Sequence, residues 1–261
     1  MLAQLPTAVL GLLIILLVVL LALVGVTMVH NRIPVEERES HTVPLGLINA
    51  GLTAMFGVII GFTAYLVMGE YMDAQQTVQT EAADLEQIYR LAAPLPEPKQ
   101  EQIQGLAASY ARVVIEEEWP LMRQVRTSPH AGALAEELRG SIQEGYRTST
   151  GTEQEILGKE LDVMDELDED RADRLIAMRQ RLPSILWAAL VVLAIAIIGL
   201  SLFVGMKSHR VHMLSVGALA VGITLVLFMV GVLDRPFGTD FGLRPQPFEL
   251  VLNDIGGTQG R

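Results

Sequence analysis

The sequence predicts an all-α, polytopic membrane protein with four transmembrane helices and a helical extramembrane domain between the second and third. Three observations carry this. Four apolar runs, at residues 8–29, 45–69, 185–206 and 211–233, contain no Asp, Glu, Lys or Arg. Each meets the roughly 20 residues that a helix needs to cross the apolar core of a bilayer. The runs are continuous rather than alternating, which excludes the strands of a membrane barrel and leaves helices that satisfy their own backbone in lipid. Finally, the net charge of −11 is confined to one region: residues 70–181 hold 23 Asp/Glu against 12 Lys/Arg, and the rest of the chain holds 7 of each.

The first span, with its short loop, occupies residues 1–44. Its leader MLAQLPT has no basic residue and the run exceeds the about 7–15 residues of a signal-peptide core, so it is expected to be retained. The second span has no breaker at its end. Tyr71, Ala74, Val78, Leu85, Tyr89 and Ala92 continue a helical stripe up to Pro94, so one helix is expected over 45–93, extending out of the membrane. The acidic domain covers 94–181. It opens with a helix at 98–126 that Pro120 kinks or breaks. Ser128-Pro129 then starts a second helix as N-cap and first helical residue. Thr152 and Glu155 have capping-box spacing and start a third. The remaining spans form a hairpin over 182–233 joined by the loop KSHR at 207–210. The tail at 234–261 reads as extended chain with one short helix from about Pro247.

Four spans put both termini and the central domain on one side of the membrane and the two short loops on the other. The short loops carry Arg32, Arg38, Lys207 and Arg210; the opposite flanks carry Arg171, Arg174, Arg179, Arg181, Arg235 and Arg244. This balance places the domain in the cytoplasm. The acidic domain excludes nucleic acid as a partner, because phosphate repels it. With no cysteine there is no disulfide and no thiolate metal site.

The second span differs from the other three. Gly46, Ala50, Ala54, Gly57, Gly61 and Ala64 form a small-residue face suited to close helix packing. Beside it runs a graded stripe: Asn49, Thr53, Phe56, Ile60, Thr63, Val67 and Glu70. In a ring of identical subunits it would give a polar vestibule, an apolar constriction at Phe56 and Ile60, and a charged mouth that favours cations. The plainer alternative is that Asn49 and Thr53 only hydrogen-bond a neighbouring helix. The acidic run at 160–174 lacks EF-hand spacing and reads as a solvated helix face. His209 and His212 lie close together, but no carboxylate completes a metal site there. No catalytic motif and no phosphate-binding loop is present, and no ionisable residue that would support a proton-relay transporter lies within a span. Neither an enzyme, a metal nor a cofactor is expected.

The segments GFTAYLVMGEYMDAQQTVQTEAADL (61–85), RQRLPSILWAALVV (179–192) and LDRPFGTDFGLRPQPFELVL (233–252) resemble the bacterial bestrophin-like domain proteins. Bestrophins are pentameric, mostly anion-selective channels of the membrane with cytosolic termini and a long second helix along the pore. The resemblance therefore implies a homo-oligomeric channel in a bacterial plasma membrane, with the bilayer and inorganic ions as partners. It also implies that the tail packs on the domain or a neighbouring subunit through Phe237, Phe241 and Phe248. The alternative function is a non-conducting scaffold or sensor, in which the stripe on the second span is a helix–helix interface.

Overall fold

A computed structural model describes residues 6–258. The regular structure of the described residues is all helical, and four helices are long and apolar enough to cross a membrane. They divide into two units. One holds the chain up to Gly69 together with Arg181–Asp234; the other holds Glu70–Gln180 and the chain from Arg235 onwards.

In the membrane unit, α1 (Thr7–Arg32) and α8 (His209–Leu233) pack closely. Ala22 and Val26 meet Val216 and Ala220 in a small apolar cluster. The approach requires a small residue: a Cβ on Gly11 would lie 2.4 Å from the Phe228 ring. Helix α2 (Val35–Ala92) begins ten residues before the span expected from the sequence. Pro34 ends the α1–α2 loop, and Glu36 and Glu37 then place negative charge at the helix start, where the helix dipole favours it. Pro44 is carried inside the helix. Helix α7 (Ser184–Ser201) ends five residues short of the apolar run. The chain from 202 to 208 turns back, and Ser208 caps α8 by accepting from the Val211 N–H. Asp234 closes the unit at the other end. Its carboxylate accepts from the Leu182 N–H at 2.7 Å and the Trp187 indole at 3.4 Å.

The second unit takes residues 70–92 of α2 and adds α3 (Lys99–Val113), a π-helical turn (Val114–Glu118) and α4 (Trp119–Met122). Then come α5 (Pro129–Thr148), α6 (Thr152–Ala177) and α9 (Gln246–Thr258). Leu85, Ile88, Ile103, Tyr110, Leu138, Ile142, Leu157, Met164 and Leu167 form its core. The helix expected over 98–126 ends at Met122. Pro120 is accommodated because the π turn just before it has already left the α-helical hydrogen-bond pattern. Ser128 caps α5 as expected, its hydroxyl accepting from the Ala131 N–H at 3.3 Å. Thr152 does not cap α6. Gly151, with φ of 64°, is the cap residue, and the polar groups nearby go to a Lys99–Ser149–Glu153 cluster instead. In the tail, Phe237 and Phe248 pack edge-on against Trp119 as expected, whereas Phe241 is exposed.

Candidate functional site

The second span shows two contrasting faces. One is built into the protomer. Phe56 (5% exposed), Ile60 (7%) and Val67 join Leu190, Ala194 and Ile197 of α7 and Ile223 and Val230 of α8 in one apolar cluster. Thr63 is buried on this face and donates to the Ile59 carbonyl of its own helix at 2.8 Å. At one end of it, Asn49 donates from Nδ2 to the Ser201 hydroxyl at 2.9 Å. Thr53 is exposed and bonds back to the Asn49 carbonyl at 2.8 Å; Glu70 is exposed.

The stripe expected to line a pathway is thereby split. Phe56, Ile60, Thr63 and Val67 are largely taken up by the protomer's own packing. Asn49 serves as a helix–helix hydrogen bond, the plainer alternative at that position. Only Thr53 and Glu70 remain open.

The opposite face of the span is uncovered. Val58 is 74% exposed and Phe62 63%, and Leu47, Met55, Tyr65 and Leu66 are also exposed. The small-residue face beside it is free as well: a Cβ on Gly46, Gly57 or Gly61 would meet nothing within 4 Å. Ala50 and Ala54 are exposed and Ala64 is half-buried against the apolar cluster. An apolar span has no polar–apolar period to say which face turns inward, so the pattern of residues 45–69 did not discriminate these two faces.

In the second unit, sequence reading missed a buried ion network. The Arg174 guanidinium is fully buried. It grips Glu81 through two nitrogens and donates to Glu118 at 2.8 Å. Glu118 also accepts from Arg171 at 2.7 Å, and Tyr110 donates its hydroxyl to Glu81 at 2.6 Å. Burial opposes charge on Arg174, but Glu81 and Glu118 outweigh it and hold the guanidinium ionised. Burial, then Glu81, pushes the Tyr110 phenol well up, so it stays a donor. The π turn is what swings Glu118 inward from a run of three consecutive glutamates that reads as solvated surface. The only sequence signal was an arginine at a core position of α6.

These features define a class: a polytopic all-α membrane protein with a long second helix and a helical domain inserted between its second and third spans. Within that class, residues 16–248 match the family model of the Bestrophin-like domain, and the chain belongs to that family. The fold is also that of solved structures. A crystal structure of a bacterial bestrophin homologue from Klebsiella pneumoniae aligns with a TM-score of 0.71 at 12% identity, covering 95% of this chain and 99% of that one. A point variant of a K. pneumoniae homologue gives 0.71 at 13% identity with the same coverage. A membrane protein carrying a proline-to-alanine substitution gives 0.72 at 13%, again covering 95% and 99%. At these identities the likeness establishes the fold. A search of curated proteins gave no match.

Proposed function

We propose that the chain assembles into a homo-oligomeric ion channel whose pathway runs along the open face of α2. The single observation that carries this reading is that α2 has a stripe of six small residues and leaves most of it, with the neighbouring large apolar residues, uncovered by its own protomer. Gly46, Gly57 and Gly61 suit close approach by a neighbouring subunit's helix. Val58 and Phe62, one turn apart and opposite the apolar cluster, then stand where a dewetting constriction belongs. This replaces Phe56 and Ile60 in that role.

Family membership supports a channel, a pentameric ring and the bacterial plasma membrane, with both termini and the inserted domain in the cytoplasm. Glu70, exposed where the span ends, favours cations, whereas bestrophin likeness favours anions. No enzymatic role is proposed.

Flux from liposomes carrying the full chain tests the reading, with sodium and chloride measured separately. Val58→Ala with Phe62→Ala should raise flux severalfold while leaving the oligomer intact. Phe56→Ala with Ile60→Ala should instead lower stability, because it empties the apolar cluster. Absence of flux for both ions in correctly inserted protein, or a leak produced by the second pair and not the first, overturns it.

A further inference from the structure

We propose that the junction of α1, α2 and α8 is a proton-operated latch: uptake of one proton by His30 releases Arg38 and loosens the end of the membrane unit that carries the two short loops. The inference starts from Arg38, in the second turn of α2. Its side chain is 3% exposed, yet among the described residues it has no carboxylate within ion-pairing distance, and its Nε and Nη1 have no hydrogen-bond partner. Its side chain has one bond, from Nη2 to His30 Nδ1 at 3.2 Å. A buried cation is ordinarily paired, so an imidazole in that place is unusual.

The protonation state follows from valence. A guanidinium has donors only, so His30 Nδ1 must offer its lone pair, and His30 is neutral with its proton on Nε2. His212, almost fully buried, sits with Nε2 3.0 Å from the Ser201 carbonyl. A carbonyl only accepts, so that nitrogen carries the proton. The His209 ring lies 4.4 Å from His30, tilted by 37°. Ser201 in turn accepts from Asn49 and donates to the Ile197 carbonyl. The polar groups thus tie α1, α2, α7 and α8 together with one formal charge.

A proton on His30 removes the acceptor for Arg38 and sets two cations face to face. The titratable groups that act on His30 are His209 and His212 from α8 and Arg38 from α2, and none of them is an anion. Helix α7 contributes Ser201, which does not titrate. Glu37 and His41, both exposed, line a cavity of about 420 Å³ with Arg38. Arg32, Lys207 and Arg210 in the flanking segments are exposed and of the same sign as the added proton. The histidines are not a metal site: among the described residues no group of three His, Asp or Glu can hold an ion.

The latch has something to hold. Thr42 donates to the Arg38 carbonyl at 2.9 Å and accepts from the Gly205 N–H at 2.8 Å, so the α7–α8 loop rests on the turn that carries Arg38. Releasing Arg38 frees that turn and the loop together, on the side of the membrane reached by the short loops.

The absence of cysteine makes the test direct. Spin labels on the double variant Glu36→Cys/Lys207→Cys of the full chain, in liposomes, report the separation of the two loops. The expected result is a narrow distance distribution at pH 8 that broadens and shifts reversibly by about 2 Å as the pH is lowered to 5. Adding His30→Gln, which still accepts from Arg38 but takes no proton, should abolish the response. So should Arg38→Met, which removes the opposing cation and serves if the glutamine variant does not fold. A wild-type distribution unchanged between pH 8 and pH 5 overturns the latch, as does a response that persists with either substitution.

Discussion

Glu160 gives the most quantitative test of the second unit. It lies on α6 among Leu157, Val163, Met164 and Leu167, its side chain is fully buried, and neither carboxylate oxygen has a hydrogen-bond partner among the described residues. Burial pushes its carboxyl from 4.5 up to about 8, so the folded chain keeps it neutral at pH 7. In the unfolded chain the proton leaves near the ordinary value. Between these limits the unfolded state binds fewer protons than the folded one, so stability falls as pH rises from about 4.5 to about 8. At about 1.4 kcal/mol per pH unit, the whole window is worth about 5 kcal/mol. Glu160→Gln keeps the shape and cannot ionise. Wild type and variant should therefore melt together near pH 4.5. Above pH 8 the variant should be more stable by up to about 5 kcal/mol, on the order of 10 °C in midpoint. The assay is thermal unfolding of the purified full chain in detergent from pH 4.5 to 9. It follows the fluorescence of buried Trp119 in a Trp187→Phe background, because the chain has two tryptophans. A difference between the two proteins that does not change with pH refutes the reasoning, because it would mean that the carboxyl is not held neutral by burial.

Two further outcomes follow from packing. Arg174→Met leaves Glu81 and Glu118 as buried carboxylates without their shared cation and should cost about 3–5 kcal/mol; Glu81→Gln added to it should restore part of the loss in the same melt. Gly205→Ala places a Cβ 2.7 Å from the Glu39 backbone nitrogen and 2.8 Å from Thr42 Oγ1. It should cost about 1–3 kcal/mol by overpacking, read from Trp187 fluorescence. Gly199→Ala, with nothing within 4 Å of the new atom, should be silent in that assay.

The apolar runs made the spans legible because a bilayer accepts few alternatives to a helix of that length. The Ser128-Pro129 start of α5 was legible because its capping bond is local. What escaped depended on distant residues. The start of α2 at Val35 was hidden because residues 35–44 lie outside the apolar run and include Pro44, which is accommodated inside a helix of 58 residues. The inward turn of Glu118 was hidden because nothing in the glutamate run 116–118 marks a π turn; its reason is Arg174, 56 residues away. In the second span, Phe56 and Val58 are equally apolar in sequence. Only the packing of α7 and α8 decides that the first is covered and the second is not.

The two buried arginines argue for a division of labour between fixed and switchable fasteners. Arg174 stands between the buried carboxylates of Glu81 and Glu118, and a phenol completes the first of them. That set, buried and mutually paired, suits a junction that must not open. Arg38 leans on an imidazole, a neutral acceptor whose capacity to accept is lost when it takes a proton. A glutamate at position 30 would pair with Arg38 more strongly and would not release it. The prediction is therefore specific: His30→Glu should stabilise the membrane unit against heat at pH 6 and, in the spin-label assay, leave the loop separation the same at pH 8 and pH 5. If it destabilises the unit at both values, Arg38 is not the group that the imidazole serves.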